Sequence, residues 1–166
     1  MRCPESAPRS GEPPAPPMPE NGTLTHSAEE TESLGERLAS RLSAGDVVYL
    51  EGELGAGKTA FARGVARGLG AAGRDVASPT FALLHEYAGE GGAIVLRHLD
   101  LYRLSDSAKE LEVLGLPESV ADAPVCIEWP RVAVRRVLPP TVEVRIEREP
   151  GGESRRVAIA MLEGRG

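Results

Sequence analysis

The chain contains, at residues 47–59, the stretch VVYLEGELGAGKT. Its first four residues are apolar on both faces of an extended chain, as in a central strand that is covered on each side. Residues 52–59 then satisfy the phosphate-loop pattern, Gly-x-x-x-x-Gly-Lys followed by Ser or Thr. At this composition roughly 0.003 matches are expected by chance in the whole chain. The stretch therefore predicts a buried strand that leads into a phosphate-binding loop.

The residues after the loop fit the helix that this motif requires. Phe61, Val65 and Leu69 share one face, which predicts a helix from the end of the loop to Leu69. Gly64 and Gly68 are poor helix formers, each less favourable than alanine by about 1 kcal/mol. They therefore either weaken the outer turns of this helix or mark a place where another element packs closely.

The residue types in the loop explain how it can hold a polyphosphate. Glycines let consecutive backbone N–H groups turn inward around an anion without interference from Cβ atoms. Lys58 can span the β- and γ-phosphates, and the Thr59 hydroxyl can ligate Mg²⁺. Arginine supplies 17 of the 19 basic residues, and the only lysines are Lys58 and Lys109. A lysine in the loop therefore indicates that a compact charge on a flexible stem is required there.

Length and composition exclude several classes of protein. A chain of 166 residues fits one domain, and 41% apolar with 27% charged residues is a globular balance. No apolar run approaches the roughly 18 residues of a membrane-spanning helix. Cys3 and Cys126 are too few for a disulfide framework or a cysteine-based zinc site, so we expect a cytoplasmic protein. A net charge of −6 opposes nonspecific binding of nucleic acid.

The domain organisation follows from proline content and periodicity. The first 20 residues hold seven of the 14 prolines and show no periodicity, so residues 1–22 are predicted to be a disordered tail. Residues 23–166 are then the folded domain. Ser27 and Glu30 form a capping-box pattern, and Leu34, Leu38 and Leu42 predict a helix over residues 27–44 that Gly45 ends.

The remaining elements are predicted from shorter patterns. Helices are expected at residues 107–114 and 132–137, and an antiparallel hairpin at one edge of the sheet at residues 142–146 and 157–161. Glu143 and Arg145 alternate with the apolar residues of the hairpin, so they are expected to face solvent. These elements predict an α/β fold with a mostly parallel sheet, helices on both faces and an antiparallel edge hairpin.

Two apolar runs end in an acid, and such acids can place a metal ion beside a phosphate loop. Residues 94–100 end in Asp100, and residues 125–128 end in Glu128. In doubly wound folds the carboxyl ends of parallel strands open on one crevice, so both acids would converge on a nucleotide. From the pattern alone, each could equally be a surface residue. His85 and His98 lack ligand-like spacing and are interpreted as structural.

Five segments, taken in order, resemble the bacterial TsaE (YjeE) ATPases. The resemblance spans residues 24–162 and rests on LGAGKT at 54–59, SPTF at 78–81, EY at 86–87, HLDLYRL at 98–104 and IEWP at 127–130. It implies a small P-loop ATPase that uses ATP and Mg²⁺ in the threonylcarbamoyl modification of adenosine 37 in tRNA. It also implies action with the TsaD and TsaB proteins, with tRNA contacted through that complex.

The resemblance assigns roles residue by residue. It implies catalytic roles for Lys58, Asp100 and Glu128, Mg²⁺ binding by Thr59, Asp100 and Glu128, and a switch-like role for Thr80. It implies nucleotide binding by Glu53, Leu54, Gly55, Ala56, Gly57, Lys58, Thr59, Ala60 and Trp129. One of these positions departs from the family, which usually has Thr where this chain has Ala60. Any contact from a second hydroxyl is lost there.

Three functions of different classes remain open. An ATPase that resets a partner complex is expected to be slow alone and faster with its partner. A small-molecule kinase would need an acceptor pocket and usually a lid, and no lid-like insertion is evident at this length. A nucleotide-dependent binding module would hold ATP without significant hydrolysis. A GTPase is disfavoured because neither lysine lies in an Asn/Thr-Lys-x-Asp context.

Overall fold

A computed structural model describes residues 22–77, 84–104 and 120–162. Residues 1–21 of the predicted tail, the Ser78–Phe81 segment with Thr80, and the predicted helix at 107–114 with Lys109 lie outside these residues. The described elements, in chain order, are β1 (Thr23–Thr25), α1 (Ala28–Ala39), β2 (Val47–Glu51), α2 (Lys58–Gly68), β3 (Ala71–Ala77), β4 (Leu84–Gly89), β5 (Ile94–Asp100), β6 (Val125–Glu128), α3 (Val132–Val137), β7 (Val142–Arg148) and β8 (Arg155–Met161).

The strands form one sheet in the order β1-β8-β7-β2-β6-β5-β4-β3. Its centre, β7-β2-β6-β5, is parallel, and both flanks are antiparallel. The predicted parallel core and the β7–β8 hairpin are confirmed, although the short strand β1 lies outside the hairpin at the sheet edge. The antiparallel flank formed by β3 and β4 was not predicted.

Strand β2 lies at the middle of the core and is covered on both faces, as its sequence predicts. Val48 and Leu50 belong to a buried cluster with side chains of α1 and α2. Val47 and Tyr49 belong to a second cluster, with Val134 of α3 on the opposite face. Alternate residues of a strand point to opposite faces, so the apolar run on β2 packs against helices on both faces of the sheet. Helices therefore cover both faces of the sheet.

Helix α1 begins where the sequence predicts and ends earlier. The Ser27 hydroxyl accepts a hydrogen bond from Glu30 N at 3.1 Å, and Glu30 Oε2 accepts one from His26 N at 2.7 Å. The helix ends at Ala39 rather than at residue 44. Leu42 N donates to the carbonyl oxygen three residues earlier, at 3.1 Å, so the chain tightens into a turn there. The prediction was wrong because Leu42 still packs against the core from that turn.

Helices α1 and α2 approach each other closely at glycines. A Cβ at Gly35 would lie 2.2 Å from the Phe61 carbonyl oxygen, and a Cβ at Gly64 would lie 1.9 Å from the Glu32 carbonyl oxygen. A Cβ at Gly68 would lie 2.5 Å from that of Ala39. Of the two interpretations that the sequence left open for Gly64 and Gly68, close packing is therefore correct.

The expectation that Glu143 and Arg145 face solvent was wrong. Arg145 Nη2 lies 3.5 Å from Glu51 Oε2, and Arg135 of α3 pairs with both Glu51 and Glu143. The Arg135 guanidinium also lies 4.8 Å from the centre of the Tyr49 ring. Because α3 crosses this face of the sheet, its Arg135 pairs with Glu143 of β7, while Arg145 pairs with Glu51 of β2. No helix among the described residues is long and apolar enough to cross a membrane.

The close contact between α1 and α2 predicts the effect of adding one methyl group. Alanine is ordinarily better than glycine inside a helix by about 1 kcal/mol. Gly64→Ala is nevertheless expected to lower the free energy of unfolding by about 1–3 kcal/mol, because the new Cβ meets backbone of α1. Urea denaturation measures this change. Gly152→Ala is the matched control, because the nearest atom to its Cβ lies at 3.8 Å. A Gly64→Ala protein more stable than the wild type would contradict the packing.

Candidate functional site

The loop between β2 and α2 turns through glycines that accept a left-handed backbone. Gly55 has φ +76° and Gly57 has φ +111°, values that residues with a Cβ rarely adopt. The Leu54 side chain lies at the loop tip and is exposed, whereas Ala56 is buried. Gly57 is the residue before the first turn of α2. The loop therefore leads directly into the N-terminus of α2.

The first backbone N–H groups of α2 are available to an anion. The first donors of a helix have no partner inside it. Among the described residues, no group accepts a hydrogen bond from the N–H of Gly57, Lys58 or Thr59. The first N–H of the helix with a backbone acceptor is that of Phe61, which donates to Gly57 O at 2.9 Å. Unpaired N–H groups and the positive end of the helix dipole together favour a phosphate. The loop therefore fits a polyphosphate.

Lys58 is buried inside the loop. Its Nζ donates to the carbonyl oxygens of Gly52 at 2.6 Å and Glu53 at 2.8 Å, and it lies 4.3 Å from the centre of the Trp129 ring. Burial lowers the pKa of the ammonium, and the neighbouring carboxylates of Glu128, Asp100 and Glu53 raise it in partial compensation. The ammonium thus lies inside the loop, with two backbone carbonyl oxygens as its hydrogen-bond partners.

The sheet brings the two predicted acids to the same edge as the loop. Glu128 pairs in register with Leu50 of β2 on one side and with Asp100 of β5 on the other. Thr59 Oγ1 donates to Glu128 Oε1 at 2.9 Å, so the loop threonine contacts a strand-end carboxylate. Asp100 Oδ1 accepts a hydrogen bond from the Tyr102 backbone N–H at 3.0 Å. Lys58, Thr59, Asp100 and Glu128 therefore form one site.

Glu128 is held in its ionised form. Burial raises the pKa of its carboxyl group, but the hydrogen bond and charge of His98, the Thr59 hydroxyl and the Lys58 ammonium together lower it below the ordinary value. An ionised carboxylate only accepts hydrogen bonds. The contact of 2.8 Å between His98 Nε2 and Glu128 Oε1 is consequently one in which the imidazole donates.

His98 is a site residue that sequence reasoning assigned to a structural role. It is buried on β5, two residues before Asp100, and it contacts the carboxylate of the neighbouring strand. Metal-ligand spacing does not detect such a contact, because His98 hydrogen-bonds to a side chain of the neighbouring strand and not to a group nearby in sequence. The signal that could have found it is its place on the same face of the strand as Asp100.

Trp129 connects the loop to the segment after β5. It adopts φ +55°, a value uncommon for a bulky residue, and its ring packs 5.0 Å from the ring of Tyr102. Arg131 then donates to the Leu101 carbonyl oxygen at 3.2 Å and to the Tyr102 carbonyl oxygen at 2.8 Å. These contacts fix the turn after β6 against the turn after β5, with the indole facing Lys58.

A cleft of about 440 Å³ opens on the other side of the loop. Its lining includes Gly55, Gly57 and Ala60 of the loop and α2, the start of α1 at Ser27, and side chains of the β7–β8 hairpin. Ala60 is buried at this surface, where a threonine would present a second hydroxyl. The cleft therefore borders the loop at Gly55, Gly57 and Ala60.

Two arginines of the hairpin border this cleft, and sequence reasoning missed both. Arg148 Nη2 donates to the Gly55 carbonyl oxygen at 3.1 Å, and its Nε lies 3.4 Å from Glu53 Oε1. Arg155 lines the cleft and lies opposite Arg148 in the hairpin register. Nothing local in the sequence marks these residues, because only strand pairing brings residue 148 to the phosphate loop.

The described residues contain no cluster of three or more His, Cys, Asp and Glu side chains able to hold a metal ion. Mg²⁺ commonly uses only one or two carboxylates and completes its shell with water and substrate phosphates. The Thr59 hydroxyl with the carboxylates of Glu128 and Asp100 is a donor set of that kind. The set suits a metal that arrives together with a polyphosphate.

Comparison with known proteins shows the family of this chain. Residues 25–157 match the family model for "Threonylcarbamoyl adenosine biosynthesis protein TsaE". The tRNA threonylcarbamoyladenosine biosynthesis protein TsaE of Streptomyces coelicolor is 42% identical over 135 residues, covering 80% of this chain and 89% of that protein. The protein of that name from Bacillus subtilis is 37% identical over 142 residues, covering 85% of each.

A solved structure extends the match to the fold. The crystal structure of Bacillus subtilis YdiB is similar to this chain with a TM-score of 0.63 and 27% identity, and the match covers 90% of both chains. The family suggested by the five sequence segments is thereby confirmed. The chain belongs to the TsaE family of threonylcarbamoyladenosine biosynthesis proteins.

Proposed function

We propose that this protein binds ATP with Mg²⁺ at the phosphate loop, hydrolyses it, and acts on a TsaD–TsaB complex in the modification of adenosine 37 of tRNA. The observation that carries the proposal is the buried Lys58 ammonium within a loop whose following helix offers unpaired N–H groups. The contact between Thr59 and Glu128 supports it from the metal side. The proposed role in tRNA modification supports a cytoplasmic location, which remains part of the proposal.

The proposed placement of the nucleotide follows from the two sides of the loop. The phosphates would lie against the N–H groups of Gly57, Lys58 and Thr59, with the Lys58 ammonium as their counter-charge. The base and ribose would occupy the cleft beside Ala60, which offers about 440 Å³. Mg²⁺, when bound, supplies positive charge that offsets the negative charge developing during phosphoryl transfer.

The residues of this chain would perform the supporting steps. Thr59, Glu128 and Asp100 would hold the metal side of the site, and Lys58 would orient the terminal phosphates. Trp129 would cover the ammonium from the side facing Tyr102, restricting the access of water to it. Hydrolases of this class often need one further charge from a partner. Arg103, which is exposed after β5, is one residue that could supply such a charge within this chain.

Removal of the loop ammonium tests the binding site. Lys58→Ala is expected to weaken ATP binding or turnover by more than about 10-fold, because charge-assisted contacts to phosphate are lost in a buried setting. Isothermal titration with ATP and Mg²⁺ measures the affinity. Arg63→Ala on the exposed face of α2 is the matched control, since within the described residues Arg63 pairs only with Glu32, at 3.1 Å. Equal affinity of the Lys58→Ala and wild-type proteins would refute the site.

Trp129 is the sole tryptophan and therefore reports on the site by its fluorescence. Saturating ADP or ATP with Mg²⁺ is expected to change its emission, because phosphate would draw away the ammonium that lies 4.3 Å from the ring. Titration of the Lys58→Ala variant serves as the control and should be nearly flat. An unchanged emission at saturation, with binding shown by titration calorimetry, would place the nucleotide away from Trp129.

Single-turnover phosphate release separates the three candidate functions. We expect slow release from the protein alone and a rise of at least about 10-fold when TsaD, TsaB and tRNA are added, as for related hydrolases that gain a charge from a partner. Tight ATP binding with negligible release under both conditions would instead indicate a binding module. Transfer of the terminal phosphate to a small molecule would indicate a kinase.

A further inference from the structure

We propose that His98 is a positioning residue for the metal side of this site: it fixes one oxygen of Glu128, and through Glu128 it orients the Thr59 hydroxyl. This role rests on the proposed binding of a nucleotide with Mg²⁺. It goes beyond the contacts of the loop itself, because His98 lies in the interior of β5 and reaches the loop only through the carboxylate of β6.

The two oxygens of Glu128 have different surroundings. Oε1 accepts two hydrogen bonds, from His98 Nε2 at 2.8 Å and from Thr59 Oγ1 at 2.9 Å. Within residues 22–77, 84–104 and 120–162, no group donates to Oε2, and no buried side-chain oxygen or nitrogen there lacks a partner. Oε2 therefore reaches solvent. Oε1 is therefore bound by protein groups, and Oε2 is open to a ligand or to a water molecule bound to that ligand.

Burial makes the contribution of His98 necessary. Glu128 and His98 are only 4% and 3% exposed, so the carboxylate has little water to stabilise its charge. A buried charge without donors is strongly unfavourable. Thr59 provides one donor from a flexible hydroxyl, whereas the imidazole is held by the strand and by packing. With His98 in place the carboxylate has one orientation, and without it the group is free to rotate toward other donors.

The position of Glu128 determines the direction in which the Thr59 hydroxyl points its proton. A hydroxyl has one proton and two lone pairs. When the Thr59 proton is directed at Glu128 Oε1, the lone pairs point away from the carboxylate, and a cation requires a lone pair. A fixed Glu128 therefore presents Thr59 in the orientation that suits a metal ligand. Mutation of a residue that hydrogen-bonds to a metal ligand typically lowers metal affinity by about 10–100-fold.

The decisive measurement is the Mg²⁺ dependence of ADP binding. We expect His98→Leu to raise the Mg²⁺ concentration needed for half-maximal tightening of ADP by about 10-fold or more. ADP affinity measured in EDTA should change by less than about 3-fold, because the phosphate contacts of the loop remain. Calorimetric titrations give both quantities without any need for turnover.

Conservative variants distinguish positioning from a merely structural role. The Nε2 amide of His98→Gln can replace the imidazole donor, so this variant should recover most of the Mg²⁺ dependence. The shorter amide of His98→Asn cannot reach Oε1, so this variant should show the raised Mg²⁺ requirement that is expected of His98→Leu. It therefore tests the proposal even if the leucine variant fails to fold. His85→Leu is the matched control, since His85 lies beside His98, with ring centres 6.0 Å apart, and does not contact Glu128.

Each outcome separates the two proposals. If the wild type binds ADP and the donor-free variants keep its Mg²⁺ dependence, the role of His98 is overturned while the proposed function stands. Equal impairment of the Gln, Asn and Leu variants would also overturn it, because packing and not donation would then be the cause. If the wild type binds no nucleotide with or without Mg²⁺, the proposed function fails and the role of His98 fails with it.

Discussion

A carboxylate buried at the end of a central strand must find hydrogen-bond donors, and Glu128 finds them on two different elements. Thr59 donates from the first turn of α2, and His98 donates from the interior of β5. A single oxygen thus joins the helix of the phosphate loop to a strand two positions away from β2 in the sheet. These two hydrogen bonds fix the relative positions of α2, β5 and β6 at the candidate site, and they also help to keep Glu128 ionised.

The direction of α2 depends on a second constraint, the close approach of α1. Small residues at Gly35, Gly64 and Gly68 let the two helices meet through backbone atoms. The ion pairs that cross this contact, such as Arg63 with Glu32, involve arginines about half exposed and contribute little by themselves. Because α1 is held this close, its N-terminus at Ser27 borders the cleft beside the loop.

The sequence predicted those elements whose bounds depend on neighbouring residues, and it did not predict those that depend on distant partners. The bounds of β5, β6 and α3 were predicted correctly. The two strands are short apolar runs that end at acids, and the helix ends before Pro139 and Pro140. The end of α1 was predicted wrongly, since an apolar residue can remain in the core after the helical hydrogen bonds have stopped. The β3–β4 flank was missed, because pairing between strands depends on partners elsewhere in the chain.

By itself, the sequence determined the phosphate loop, its lysine and threonine, and the two strand-end acids, Asp100 and Glu128. These follow from residue type and spacing, since the phosphate-loop pattern specifies its glycines, its lysine and its threonine at fixed positions after a strand. The tertiary structure alone decided that His98 serves Glu128 and that Arg148 reaches the loop from 93 residues away. Such contacts come from strand order and register, which bring distant residues together without leaving a local pattern in the chain.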